Sequence, residues 1–421
     1  MPLCTTARAF PPAALPGGRG VFRPAGRFQI LKKCAPALLR RGKCDTLMKM
    51  LDKERNSMSF RHLTQFDDLS MEDWDTLYRQ ASDIMAHPEA YIDACHGKVS
   101  CNLFYEPSTR TNFSFQTAML RVGGTVFGFA DPKSTSTAKG ETLKDTIKMV
   151  SGYADVVVMR NPKEGAAKAA SLYSDVPVIN AGDGGHMHPT QTTADLTTIT
   201  RLRGKVDGLS VGLCGDLKNG RTVHSLITAL ARFKNIKFYL ISPRELAIPH
   251  YMIDYMNAHS LRHVEVTNLD AVIPQLDVLY MTRIQKERFT DMASYERNRG
   301  VYILTGRKLE KAREDLLIMH PLPRVNEIAV EVDDDPRAVY FQQARYGMFI
   351  RMSLLKTLIA QGRKAPEKVP VGTLPVCHNS RCITQTELYL PPLTEKVNGV
   401  ECCAYCGREI YPMENIADED V

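Results

Sequence analysis

No stretch of this 421-residue chain approaches the roughly 18 uncharged apolar residues that a bilayer span needs, so no membrane segment is expected. A secreted disulfide framework is excluded too, because it calls for a small domain behind an apolar signal segment and the chain has neither. The eleven cysteines are an odd number: three precede residue 45, three are scattered (Cys95, Cys101, Cys214) and five crowd between 377 and 406. That usage suits a reducing compartment. The dinucleotide fingerprint Gly-x-Gly-x-x-Gly is missing, with Gly212-x-x-Gly215 its nearest approach, and no nicotinamide cofactor is expected. The first 44 residues lack Asp and Glu, and no Ser occurs before Ser57. Those 44 residues hold nine bases, so of the formal net charge of +7 the rest of the chain retains −2. The basic balance describes the leader, and a nucleic-acid partner does not follow from it.

What is present reads as a globular protein, 44% hydrophobic and 24% charged. The leader is rich in Pro, Gly, Ala and Arg, with a candidate helix from about Phe28 to Leu51. It resembles an organellar transit peptide for a mitochondrion or plastid; the alternative is a cytoplasmic protein that keeps its extension, residues 1–58. From about residue 59 short apolar runs appear, among them Val156–Met159, Leu209–Leu213, Phe238–Ile241, Val278–Met281, Tyr302–Leu304 and Leu316–Met319. Segments of helical spacing lie between them, such as Thr142–Tyr153, Thr190–Leu202, Thr222–Phe233 and Pro249–His259. This alternation predicts an α/β protein with parallel sheets. Residues 361–376, with three prolines and two glycines, read as a linker to a separate small module at 377–421.

In such a fold, polar residues that act on ligands belong at the carboxyl ends of strands. Pro107-Ser-Thr-Arg-Thr111 follows one apolar run and opens a predicted helix, and free backbone N–H groups, hydroxyls and a guanidinium together suit a phosphate. Alone, the same residues would be an ordinary helix cap. Arg160, Arg221 and Arg283 stand at comparable places and Lys139 sits in a polar loop, which points to a cationic cleft for a small multiply charged anion. His186 and His188 have no third ligand at metal spacing, and a neutral imidazole donating to a substrate oxygen fits better.

Together these residues resemble the aspartate carbamoyltransferase family. The matching stretches are Pro107–Thr111, Lys139–Thr142, Val158–Arg160, Asn180–Asp183 with His188–Gln191, Gly215–Lys218 with Gly220–Ser225, Tyr280–Arg288 and His320–Arg324, spread over about residues 59–360. The resemblance implies transfer of a carbamoyl group from carbamoyl phosphate to L-aspartate in pyrimidine biosynthesis, without a catalytic cofactor. Ser108, Thr109, Arg110 and Thr111 would hold the phosphate. Gln191 and the backbone at Leu322 and Pro323 would bind the carbamoyl NH2 group. Thr111, Arg160 and His188 would face the carbonyl oxygen, and Arg221, Arg283 and Gln285 would grip the aspartate carboxylates. Ser136 and Lys139 would enter the site of a neighbouring chain, implying a homotrimer, with higher oligomers open. The relatives that act on ornithine carry His-Cys-Leu-Pro where this chain has His320-Pro321-Leu322-Pro323, and they lack the Arg283-x-Gln285 pair. The sequence departs from the family at Asn112, where many members have a second Arg. The implied architecture is a carbamoyl-phosphate domain at 59–189 completed by 345–360, a connecting helix at 190–203 and an aspartate domain at 204–338, closing on both substrates.

Cys377-x4-Cys382 and Cys403-x2-Cys406 pair four thiolates at the spacing of a structural zinc site, with Cys402 left over. A module of this size has little core, so metal would largely determine its folding. It resembles the zinc domain of the separate regulatory chain of bacterial aspartate carbamoyltransferases, without the nucleotide-binding domain, so nucleotide inhibition by that route is not expected. A zinc ribbon contacting nucleic acid is the competing class, disfavoured because Arg381 and Lys396 are outnumbered by Glu387, Glu395 and Glu401. A catalytically silent scaffold is the other alternative, disfavoured because Arg110, Lys139, Arg160, His188, Arg221 and Arg283 are all present.

Overall fold

A computed structural model describes residues 58–410 apart from 132, 134, 285–288, 290, 367–376 and 398. The leader, Gln285, most of the linker and the stretch after residue 410 therefore lie outside the described residues. No helix among the described residues is long and apolar enough to cross a membrane.

The first half opens with α1 (Met71–Ala86), started by a reciprocal cap in which the Ser70 side chain accepts from Asp73 N and Asp73 accepts from Ser70 N. There follow β1 (Val99–Phe104), α2 (Thr109–Arg121), β2 (Thr125–Phe129), α3 (Leu143–Tyr153), β3 (Val156–Asn161), α4 (Ala166–Ser171) and β4 (Val178–Asp183). The strands are all parallel in the order β2-β1-β3-β4. Helix α5 (Pro189–Arg203) leads out, starting on a proline, which has no N–H to leave unsatisfied, and ending at Gly204.

The second half holds β5 (Ser210–Cys214), α6 (Arg221–Leu230), β6 (Lys237–Ile241), α7 (His250–Ala258), β7 (Arg262–Val266), β8 (Val278–Met281), α8 (Met292–Asn298), α9 (Gly306–Leu309) and β9 (Leu317–Met319). Its sheet is parallel, in the order β7-β6-β5-β8-β9. Helix α10 (Tyr340–Ile359) then returns to the first half and packs on α1, α2 and α5. A hairpin, β10 (Thr394–Val397) with β11 (Val400–Cys403), belongs to the cysteine module.

The inner strands β3 and β8 and the outermost strand β4 are buried along their whole length, and helices covering both faces account for the apolar runs Val156–Met159 and Val278–Met281. The edge strands β2 and β7 hold no buried residue, each being exposed or half-buried throughout, so burial imposes no continuous apolar run on them. Tyr302–Leu304 is a correction: Tyr302 and Leu304 are buried with Ile303 exposed between them, and the run forms one bridge, Leu304 to Ile328, and no strand. Tyr302 instead anchors through its hydroxyl to Thr267 O at 2.7 Å.

The module is not separate. Ile383, Leu390, Tyr405 and Ile410 share one core with Leu143, Ile147 and Val150 of α3 and with Ala166, Ala167, Ala169 and Ala170 of α4. The module thus borrows the core it is too small to build.

Candidate active site

In each sheet the chain order reverses beside the strand laid down first, at β1 between β2 and β3 and at β5 between β6 and β8. Loops leaving such strands diverge and open a crevice at their carboxyl ends. Both crevices contribute to one cavity of about 650 Å³, to which Glu106–Thr111 come from β1, Arg160 from β3, Asn219–Thr222 from the β5–α6 connection and Thr282 and Arg283 from β8. Among the described residues, six arginines line it (Arg110, Arg160, Arg221, Arg283, Arg351, Arg381) against a single carboxylate, Glu106. The space is therefore built for anions.

Ser108 is the N-cap of α2, and Thr109, Arg110 and Thr111 form the first turn, where free N–H groups and the helix dipole favour negative charge. The Arg110 guanidinium is held below its ordinary pKa by partial burial and by the nearby charge of Arg283. Arg160 is buried at the end of β3, where the pairing with β4 slips between Met159 and Asn161. It pairs with Glu106 at 2.9 Å and donates to Ala181 O at 3.3 Å. Gly182, at φ +118, gives it room: a Cβ there would stand 2.7 Å from Arg160 NH1 and 3.5 Å from Arg221 NH2.

His188 is the buried N-cap residue of α5, and its Nδ1 lies 3.4 Å from Thr190 Oγ1. Burial, then the charges of Arg221, Arg160 and Arg351, push its pKa well below the ordinary histidine value. The ring is neutral and offers one N–H donor. One turn on, Gln191 Nε2 donates to Asp195 Oδ1 at 2.7 Å. The same carboxylate accepts from Gln343 Nε2 at 2.6 Å and from Tyr280 OH at 2.9 Å. Gln343 in turn accepts from His320 N at 3.0 Å, which ties Asp195 to the turn carrying Leu322 and Pro323. In that turn Leu322 N donates to His320 Nδ1 at 2.8 Å, so the ring donates through Nε2 to Glu327 Oε1 at 2.7 Å. Arg351 of α10 is buried, donates to Ser114 Oγ at 2.7 Å and to Thr190 O at 3.3 Å, and has its pKa lowered to about 10 by burial.

Ser108, Thr109, Arg110, Thr111, Arg160, His188, Gln191, Arg221, Arg283, Leu322 and Pro323 all line the cavity. Ser136 and Lys139 do not: they sit exposed on a short turn of this chain, and Gln285 is outside the described residues. Asn112 is buried, its carbonyl accepting from Asn102 Nδ2 at 3.2 Å and Gln116 Nε2 at 3.0 Å, a role in which an arginine could not substitute. Sequence reasoning missed Arg351 and Arg381. Arg351 lies on a long helix with no turn motif to mark it, and in the sequence Arg381 reads only as one of two bases between Cys377 and Cys406.

The Sγ atoms of Cys377, Cys382, Cys403 and Cys406, all buried, lie within 4.8 Å of one another. Cys377 and Cys406 Sγ are 3.6 Å apart, and Cys382 and Cys403 Sγ 4.0 Å. A tetrahedron of sulfurs about 2.3 Å from a zinc has edges of about 3.8 Å, whereas a disulfide needs about 2.05 Å. Cys402 stands apart in β11, bridged to Glu409.

Two family models match the chain: the carbamoyl-phosphate-binding domain of aspartate/ornithine carbamoyltransferase over residues 61–201, and the Asp/Orn-binding domain over 207–358. The aspartate carbamoyltransferase catalytic subunit of Clostridium perfringens is 55% identical over 302 residues, 72% of this chain and 98% of that one. Among solved structures, the catalytic subunit of M. jannaschii aspartate transcarbamoylase has 47% identity and a TM-score of 0.68, covering 72% of this chain and 99% of its own. The Trypanosoma cruzi aspartate transcarbamoylase, solved with carbamoyl phosphate and aspartate, has 38% identity and a TM-score of 0.68, covering 72% and 98%. The cysteine cluster lies beyond both matched domains. The chain belongs to the aspartate/ornithine carbamoyltransferase family.

Proposed function

We infer that the enzyme transfers the carbamoyl group of carbamoyl phosphate to the amino group of L-aspartate, giving N-carbamoyl-L-aspartate and phosphate for pyrimidine synthesis. The observation that carries this is one anion-selective cavity joining a phosphate-type helix N-terminus to a second cationic crevice. Ser108, Thr109, Arg110 and Thr111 hold the phosphate. Gln191, fixed by Asp195, presents its carbonyl oxygen to the carbamoyl NH2 group, with the backbone of Leu322 and Pro323. Arg221 and Arg283, with Gln285, hold the two aspartate carboxylates.

The aspartate nitrogen attacks the carbonyl carbon, and the charge that develops on the carbonyl oxygen meets Thr111, Arg160 and the neutral His188. Preorganised donors at such a position are typically worth about 3 kcal/mol each. The new C–N bond forms, the C–O bond to phosphate breaks, and the departing phosphate takes the proton lost by the amine. Orientation supplies much of the rest, so no covalent enzyme intermediate is required. Aspartate is favoured over ornithine because Arg283 offers a cation for a second carboxylate.

The exposed Ser136 and Lys139 complete the site of a neighbouring chain, which makes the working unit a homotrimer. The four cysteines, by number, burial and sulfur spacing, fit a structural zinc held by Cys377, Cys382, Cys403 and Cys406. Zinc there would fix the fold of the module and take no part in transfer. The acid-free leader serves as an organellar address. Arg110→Ala tests the central assignment: carbamoyl-aspartate formation should be abolished with the oligomer unchanged by size exclusion, and a near-normal rate would refute it.

A further inference from the structure

We propose that Arg381, carried on the cysteine module, is a positioning residue for the dicarboxylate substrate at the mouth of the cavity. This rests on the assignment of Arg221 and Arg283 to the substrate carboxylates. Arg381 lies between Cys377 and Cys382 in sequence, yet it lines the same cavity as those two arginines.

Its position is set by one residue of the first half, Glu164. The Glu164 N–H donates to Arg381 O at 2.9 Å, and its own carbonyl accepts from Ile383 N at 2.9 Å. The Glu164 carboxylate, with only 3% of its side chain exposed, meets Arg381 Nε at 3.1 Å and accepts from Asn379 Nδ2 at 2.7 Å. Arg408 reaches the same carboxylate at 3.9 Å, so two guanidiniums share this one acid.

The contact runs through Nε, and the NH1 end of Arg381 faces the cavity wall, 4.0 Å from where a Cβ on Gly185 would stand. Gly184 and Gly185 both line the cavity, and Gly184 O accepts from Arg221 NH1. A turn of two glycines is therefore what stands between the module's arginine and a carboxylate-binding arginine. Half of the Arg381 side chain is solvent-exposed, so it attracts and orients an arriving dianion from the rim, in a manner that salt will screen.

The test measures binding of succinate, an unreactive dicarboxylate, to the full-length enzyme saturated with carbamoyl phosphate, alongside KM for aspartate and kcat. Arg381→Ala should weaken succinate and raise KM by about fivefold at low salt, with kcat little changed, and the gap should close at high salt. Arg381→Lys should restore most of the affinity. Arg408→Ala, which removes the other guanidinium from Glu164 without touching the cavity, should bind as the parent does. Unchanged succinate affinity in Arg381→Ala would overturn the proposal, as would equal weakening in Arg381→Ala and Arg408→Ala, which would assign the effect to docking of the module. Retained succinate binding in Arg283→Ala would instead overturn the carboxylate-site assignment, and this inference with it.

Discussion

Asp195 sits fully buried under Gln191, and its carboxyl pKa is raised from 3.8 to about 7 because burial outweighs the hydrogen bonds from Gln343, Tyr280 and Gln191 and the charge of Arg351. Between about pH 4 and 7 the native state holds a proton there that the unfolded chain has released. Stability from this group is therefore full at low pH, falls as pH rises through that window and levels off above it. A rise from 3.8 to about 7 corresponds to a ceiling on the order of 4 kcal/mol. Asp195→Asn removes the titration while keeping the geometry: its Oδ1 accepts from both amides, and its Nδ2 meets the Tyr280 oxygen. Between pH 5 and 8 the parent loses about 2.7 kcal/mol of that ceiling, so at roughly 2 °C per kcal/mol for a chain of this size the variant should gain on the parent progressively across that range, by about 5 °C. The assay is thermal denaturation of the two proteins side by side across that range, with activity retained in the variant because Gln191 keeps its orientation. A melting difference that does not change with pH, or a variant less stable than its parent at pH 8, would refute the reasoning.

Three further outcomes are expected. Gly165→Ala places a Cβ 2.5 Å from Tyr405 O at φ +81, a backbone conformation that alone costs an alanine about 1–2 kcal/mol, so the module should loosen; faster proteolysis in the linker with an unchanged circular dichroism spectrum checks this. His188→Ala should lower kcat by about 10²-fold. Because burial and the neighbouring arginines hold the His188 ring neutral, the parent's pH–rate profile should show no acid limb from this residue between pH 6 and 8. Chelation should strip one zinc per chain from the parent and none from Cys403→Ser, lowering the parent's melting temperature toward that of the variant; metal content and calorimetry together decide it.

The features legible in the sequence were those in which one residue type answers one local requirement. Central strands were visible because cover on both faces forces continuous apolar runs, and the phosphate turn was visible because hydroxyls and a guanidinium crowd a helix start. Four of the six cavity arginines were found at loop positions after strands, the place where a parallel α/β fold puts its ligand residues. What stayed hidden depends on contacts distant in sequence. The edge strands β2 and β7 pay for their exposure in lost apolar pattern. Arg351 reaches the cavity only because α10 packs back on α2 and α5, and Asp195 has its pKa raised by burial where α5 meets α10, beside Gln343, 148 residues away in sequence.

The cysteine module shows how such distant contacts converge on the chemistry. The end of β3 carries Arg160, and the loop that follows carries Glu164, four residues on, which holds the module; the loop after β4 carries His188. Asp183 stitches the two loops together: its carboxylate accepts from Gly165 N at 2.8 Å, Met187 N at 2.9 Å and Asn180 Nδ2 at 3.1 Å and meets His186 Nδ1 at 3.0 Å. On the module side, Tyr405 packs so closely on Gly165 that no side chain fits between them. Arg160 and His188, two of the three groups proposed to face the carbonyl oxygen, thus adjoin loops whose outer side is clamped by the module. An element with no catalytic group of its own can in this way govern transition-state geometry, since a displacement of about 1 Å at such donors can cost about 10²-fold in rate.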